Sequence, residues 1–167
     1  MNIGICRTAI LLAAAIGLPP GLHAQSKIGV EGAISAINGT RIELYGGLVK
    51  IEAAGARIDT EDPNFKNIPD LRIGTFIDVE AVIEKDGTLR ATLVEVSEEK
   101  NQEPEISGVI GSVDSAAQTF TIGPLTISFN SRTKLKDLQA LRAGVKVEVT
   151  IDFSGGKIVA EIVERDE

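Results

Sequence analysis

Beyond residue 24 the chain holds no histidine, cysteine or tryptophan; its one His (His23) and one Cys (Cys6) both precede that point. Nucleophilic catalysis of the Ser–His or Cys–His type needs a base that titrates near neutrality, and that base is missing. A Ser–Lys pair survives as a formal option with no motif behind it. Zinc and copper sites draw on imidazole or thiolate, so neither is expected. Carboxylate chemistry remains. Asp59, Glu61 and Asp62, with Asn64 and Asp70, crowd the segment RIDTEDPNFKNIPD. Alternating side-chain oxygens on a loop can hold a hard cation such as calcium, so Asp59, Glu61 and Asp62 are the candidate ligands. The Asp-x-Asp-x-Asp-Gly spacing of a dedicated calcium loop is absent, and a solvated surface loop accounts for the same charges. A glycosidase needs two carboxylates across a sugar cleft, and no such pair is nominated. The expectation is a protein with no catalytic residue, no resident metal and no cofactor.

Stacking is the second chemistry to weigh, because aromatic platforms bind bases and sugars. Six aromatic residues follow residue 24: Tyr45, Phe65, Phe76, Phe120, Phe129 and Phe153. Phe120, Phe129 and Phe153 fall on core phases, and Phe76 is a candidate to point outward. Tyr45, beside Gly46-Gly47, and Phe65, in the acidic segment, are the candidate ligand contacts. Lys+Arg number 17 against 24 Asp+Glu, a net charge of -7, which becomes -8 once Arg7 is removed. That balance excludes a binder of nucleic-acid backbones, which clusters Lys and Arg. A glycan or another envelope protein fits better. One charge asymmetry stands out. Asp59, Glu61, Asp62 and Asp70 lie in the first half, and Arg132, Lys134, Lys136 and Arg142 occupy the matching stretch of the second. Such patches can dock, within one chain or head to tail between chains; ordinary scatter of surface charge is the plain alternative.

The elements that would position these groups begin after a leader. Arg7, an apolar run from Ala9 to Leu18, then Pro19-Pro20-Gly21 and small residues form the three-part layout of a signal peptide, with cleavage expected after Ala24. The run is about half the ~20 residues that a spanning helix needs, so no permanent membrane anchor is expected. Export to the periplasm or beyond follows.

The remainder is written twice. VEGAISAI (30–37) matches ISGVIGSV (106–113), and LRIGTFIDVEAVIEKDGTLRATLVE (71–95) matches LRAGVKVEVTIDFSGGKIVAEIVE (141–164). The spacing between copies falls from 76 to 70 to 69 residues, which places an insertion of about six residues around 59–69 in the first copy. The copies span 28–96 and 106–164, joined by the acidic linker 97–105.

Within each copy the apolar period is two, the signature of strands. Asn38-Gly39 and Gly46-Gly47 read as hairpin turns. In the second copy Asp137 and Gly144 bracket KDLQALRAG as a helix start and stop. The sequence thus predicts an all-β protein of two tandem, small, five-stranded OB-like barrels, each with a short helical turn between strands three and four. Gly32 and Gly108, mid-way along the first strands, are expected at the barrel bends.

Three segments carry a family resemblance: V-E-G-x-I-x-x-I at 30–37, L-x-x-G-x-x-I-x-V-E-A at 71–81 and D-G-T-L-x-A-x-x-V at 86–94. They resemble the bacterial domain-of-unknown-function family numbered 5666. The second copy follows less closely, with Gly155-Gly156 in place of Asp-Gly. The resemblance implies an exported β-barrel module in tandem and supplies no catalytic residues. The functional expectation is a non-catalytic binding or interaction module. A structural envelope component without a small ligand is the alternative, and a carboxylate-dependent hydrolase is a third.

Overall fold

A computed structural model describes residues 26–97 and 102–166, so the expected cleavage after Ala24 and the middle of the linker lie outside the described residues. The first copy folds as β1 (Lys27–Asn38), β2 (Arg41–Leu44), β3 (Val49–Glu52), β4 (Arg57–Asp59), β5 (Phe76–Ile83) and β6 (Leu89–Val96). The second repeats this as β7 (Glu105–Asp114), β8 (Thr119–Ile122), β9 (Leu125–Ser128), β10 (Lys134–Lys136), β11 (Lys146–Asp152) and β12 (Ile158–Arg165). Alternation in sequence becomes alternation in burial. On β1, Ile28, Val30 and Ile34 face inward and Lys27, Gly29 and Glu31 do not.

The pairings of the first copy close on themselves. β1 pairs β2, β2 pairs β3, β3 runs parallel to β6, β6 pairs β5, and β5 returns to β1. The second copy closes the same circuit through β7, β8, β9, β12 and β11. This is the five-stranded OB-like order, and closure leaves few edges unpaired. Val30, Ile42, Val49, Ile51, Ile77, Val79 and Val94 fill the first interior; Ile106, Phe120, Ile127, Val147, Val149 and Val163 fill the second. Filling the interiors with branched aliphatic side chains stabilises each by about 25 cal/mol per Å² of apolar surface removed from water.

The duplication reaches individual hydrogen bonds. The Ile34 N–H donates to Thr75 O at 2.9 Å and Gly74 N–H to Ile34 O at 2.8 Å. Their counterparts are Ile110 N–H to Val145 O at 2.9 Å and Gly144 N–H to Ile110 O at 2.7 Å.

Three expectations need correction. The barrel bends are bulges between Ile34 and Ala36 and between Ile110 and Ser112, two to three residues beyond Gly32 and Gly108. Each copy also has an unforeseen short strand, β4 parallel to β6 and β10 parallel to β12. Finally, only the first copy has a helical turn between its third and fifth strands, a 3-10 turn at Ile68–Asp70. Asp70 anchors it by accepting from the Asn67 N–H at 2.9 Å, and Pro69 presets its backbone. In the second copy Asp137 has φ 54°, a left-handed kink at the end of β10, and so cannot cap a helix.

Between the copies, β1 and β7 pair antiparallel: Ile28 opposite Gly108, Gly29 opposite Ser107, Val30 opposite Ile106 and Glu31 opposite Glu105. At these positions β1 already pairs β5 on its other side, and β7 already pairs β11. Each barrel therefore covers the free edge of the other's first strand. The two barrels share one sheet.

Candidate functional site

Tyr45 stands at the centre of this joint. It follows β2 and opens a 3-10 turn with φ 53°, a conformation that costs an L-residue about 1–2 kcal/mol. The cost is offset by what the side chain reaches. Its ring is 2% exposed and lies over Gly32, where an added Cβ would stand 2.5 Å from a ring carbon. Its hydroxyl donates to the Glu31 carbonyl of its own barrel and sits 3.1 Å from the Glu105 carbonyl of the other. From the second barrel Phe153 packs on the ring, centroids 5.4 Å apart.

The counterpart contact is inverted in size. Gly123 takes the place of Tyr45, and Ile83, the counterpart of Phe153, comes so close that a Cβ on Gly123 would stand 2.5 Å from its terminal methyl. Gly123 also has φ 54°, which glycine tolerates and β-branched residues do not. Gly108 is small for a similar reason, since a Cβ there would stand 2.6 Å from Ile122 Cγ2.

Outward from Tyr45 the joint carries a row of acids. Asp59, Glu95, Asp78, Glu31 and Glu105 occupy registered positions on five neighbouring strands. Partial burial and the facing Asp78, Glu105, Glu148 and Glu95 push the Glu31 carboxyl up to about 7. Asp78 is raised by burial, Glu95 and Glu80, and Glu105 by burial and Glu148. The same surroundings hold the Tyr45 phenol above its ordinary value, chiefly through burial. Sequence reasoning counted acids only in loops and missed this row. Its signal was available, since Glu31, Asp78, Glu80, Glu95 and Glu148 all sit on the outward phase of their strands.

A groove of about 510 Å³ opens where the β2–β3 face meets the Gly123–Pro124 turn of the second copy. Leu48, Leu89, Pro124 and Leu125 give it apolar surface, and Arg41 and Lys50 line it with positive charge. Its acids are already engaged: Glu52 Oε1 accepts from the Thr40 hydroxyl at 2.6 Å, and Asp86 accepts from the Thr88 N–H at 2.9 Å. Arg41 and Lys50 form no ion pair with any described residue.

The residues nominated from sequence are distributed otherwise. Tyr45 is buried, so it offers no open stacking face, and Phe65 is half-buried against the core. Phe153, expected inside, is 43% exposed because β11 ends at Asp152 and its backbone turns to φ -122°, ψ 34°. In the acidic loop, Asp59 pairs with Arg57 at 3.2 Å, and Asp62 accepts from the Asn64 backbone at 2.8 Å. These are turn contacts, and among the described residues no three such groups are arranged to hold a metal. Glu61 is exposed on the same loop.

The acidic and basic patches do not meet within the chain. β4 and β10 stand at opposite ends of the strand path, and Lys136 pairs instead with Glu164 of its own barrel at 3.3 Å. Arg132 and Lys134 line a separate open groove with Asp152 and Glu161. Arg142 lies with Leu138 and Arg165 beside the end of β12. Closure of each barrel is what sends equivalent loops to opposite ends.

Compared with known families, residues 31–95 and 107–164 each match one family, described as Domain of unknown function (DUF5666). A search of curated proteins found no match.

Proposed function

This chain belongs to the DUF5666 family, carrying its domain twice, and from that premise we propose an exported, non-catalytic interaction module that binds an acidic partner in the inter-barrel groove. One observation carries the reading. The groove is built by both copies, and its Arg41 and Lys50 form no ion pair with a described residue while Glu52 and Asp86 accept hydrogen bonds from within the protein. Its volume of about 510 Å³ falls within the roughly 300–1,000 Å³ of small-ligand sites. By fold analogy alone, OB-type barrels use the face of their second and third strands together with adjoining loops. Here those are β2, β3 and the Asp86-Gly87 turn. An acidic segment of another envelope protein or an acidic glycan both carry the required carboxylates.

Titration of the isotope-labelled protein with a poly-glutamate peptide and, separately, an oligogalacturonate tests the reading. Amide shifts confined to Leu48, Lys50, Thr88 and Leu125, and lost in Arg41→Glu/Lys50→Glu, support it. Which probe acts separates a peptide from a glycan partner. Silence with both leaves the structural-component reading, which rests on the tightly filled barrel interiors.

A further inference from the structure

The joint between the barrels contains a charge conflict created by its own register. β1 and β7 pair over Ile28–Glu31 and Glu105–Gly108, and the last pair sets Glu31 directly opposite Glu105. Like charges at directly opposed positions weaken a strand pair. Every flanking strand adds acid. From β5, Asp78 registers with Glu31 and Glu80 with Gly29. From β6, Glu95 registers with Asp78, and Asp59 of β4 lies beyond it. From β11, Thr150 registers with Glu105 and Glu148 with Ser107, while Glu164 of β12 faces Glu148. Glu103 approaches Glu105 from the linker.

Among the described residues, cations do not resolve the conflict. Lys27 and Lys146 lie further along the joint, beside Gly29 and Ser107, and Lys146 already pairs with Asp166 at 2.9 Å. Arg57 is taken by Asp59. The opposing attraction is short: four residue pairs, the Tyr45 hydroxyl, the Phe153 contact and the packing of Ile83 on Gly123.

We propose that the β1–β7 joint is an acid-tightened coupling, in which carboxylate repulsion around Glu31 and Glu105 loosens the two barrels at alkaline pH and protonation locks them into one sheet. The sign follows from where the charge sits. The joined state holds the proton more tightly than the parted state, so acid favours joining and alkali favours parting. Glu31 titrates at about 7, so the change falls near neutrality. Each barrel keeps its own closed circuit of pairings, and the seam is the part that opens first.

Amide exchange on the full chain, corrected for intrinsic rates, reads this at about pH 5.5 and about pH 8. Protection of those amides in 28–31 and 105–108 that bond across the seam, every second residue, is expected to be about tenfold greater at the lower pH, the equivalent of one pKa unit after discounting for solvent exposure. Protection within β2–β3 and β8–β9 falls by less than at the seam, following global stability alone. In Glu31→Gln/Glu105→Gln the difference at the seam disappears. Equal seam protection at both pH values in the wild-type chain would overturn the proposal. So would a Glu31 titration midpoint that stays unmoved in Glu105→Gln, as followed by carboxyl carbon resonance.

Discussion

Val30 and Ile106 lie directly opposite each other in the β1–β7 pairing, and they are also the same position of the two repeats. An approximate two-fold axis therefore passes between them. Each neighbouring contact has a counterpart across that axis, and the exceptions identify what the second copy has changed. Tyr45 and Phe153 on one side become Gly123 and Ile83 on the other.

The Tyr45 hydroxyl is the polar clasp of this joint. Tyr45→Phe keeps the ring over Gly32 and removes the bond to the Glu31 carbonyl. The expected cost is about 1–2 kcal/mol, read by urea denaturation. Tyr45→Ala and Phe153→Ala combined in a double-mutant cycle should give a coupling of about 0.5–1.5 kcal/mol. A coupling of zero would mean that the two rings touch without stabilising the joint.

Gly32 is small because a ring fills its place. Gly32→Ala should destabilise by about 1–3 kcal/mol through overpacking. Most of that cost should vanish in a Tyr45→Ala background, where the space is vacant. Thermal melts of the three variants decide it; an undiminished penalty would place the strain in the strand backbone instead.

Stability should fall as pH rises from about 4.5 to about 7. The carboxyls of Glu31, Asp78 and Glu105 are raised in the folded protein. From the ordinary 4.5 up to about 7, unfolded Glu31 gives up a proton that the folded protein keeps. The melting temperature should thus be higher at about pH 5 than at about pH 8, with a smaller difference in Glu31→Gln. Asp86 works in the other direction and lower down. Its carboxyl is held below the usual range by the Thr88 N–H, so its contribution is lost only in stronger acid. A melting temperature that rises from about pH 5 to about pH 8 would contradict the assignment.

The second copy alone, residues 102–166, would expose the 105–108 edge that β1 covers in the full chain. An uncovered strand edge recruits another. The expected product is an antiparallel dimer through β7, with Ile106 facing its own copy. Light scattering after size exclusion measures the mass, and Glu105→Pro, which blocks edge pairing, should return a monomer. A folded monomer without that substitution would show that the edge does not need covering.

Much of this architecture is legible in the sequence because it is local. Period-two patterning places Val30, Val79, Ile106 and Val149 inside, and the turn residues mark the hairpins. The duplication shows in the landmarks Leu-Arg-x-Gly and in the matching first strands. The joint is not legible, since the pairing of β1 with β7 spans the linker and leaves no periodic trace. Tyr45 beside two glycines reads as an exposed turn residue. Its left-handed backbone instead carries the ring back over Gly32, and the clue lay in that mid-strand glycine. Asp137 has the right type and spacing for a cap, yet the residues before it form β10 by pairing with β12, a partner 28 residues further along the chain, and Asp137 turns the backbone left-handed at its end.

The contact between β1 and β7 also limits how such chains can grow. A contact between equivalent edges is self-complementary, so it is complete with two members and offers nothing to a third. Lengthening by the same contact therefore requires whole couples, and an odd copy would be left with a bare edge.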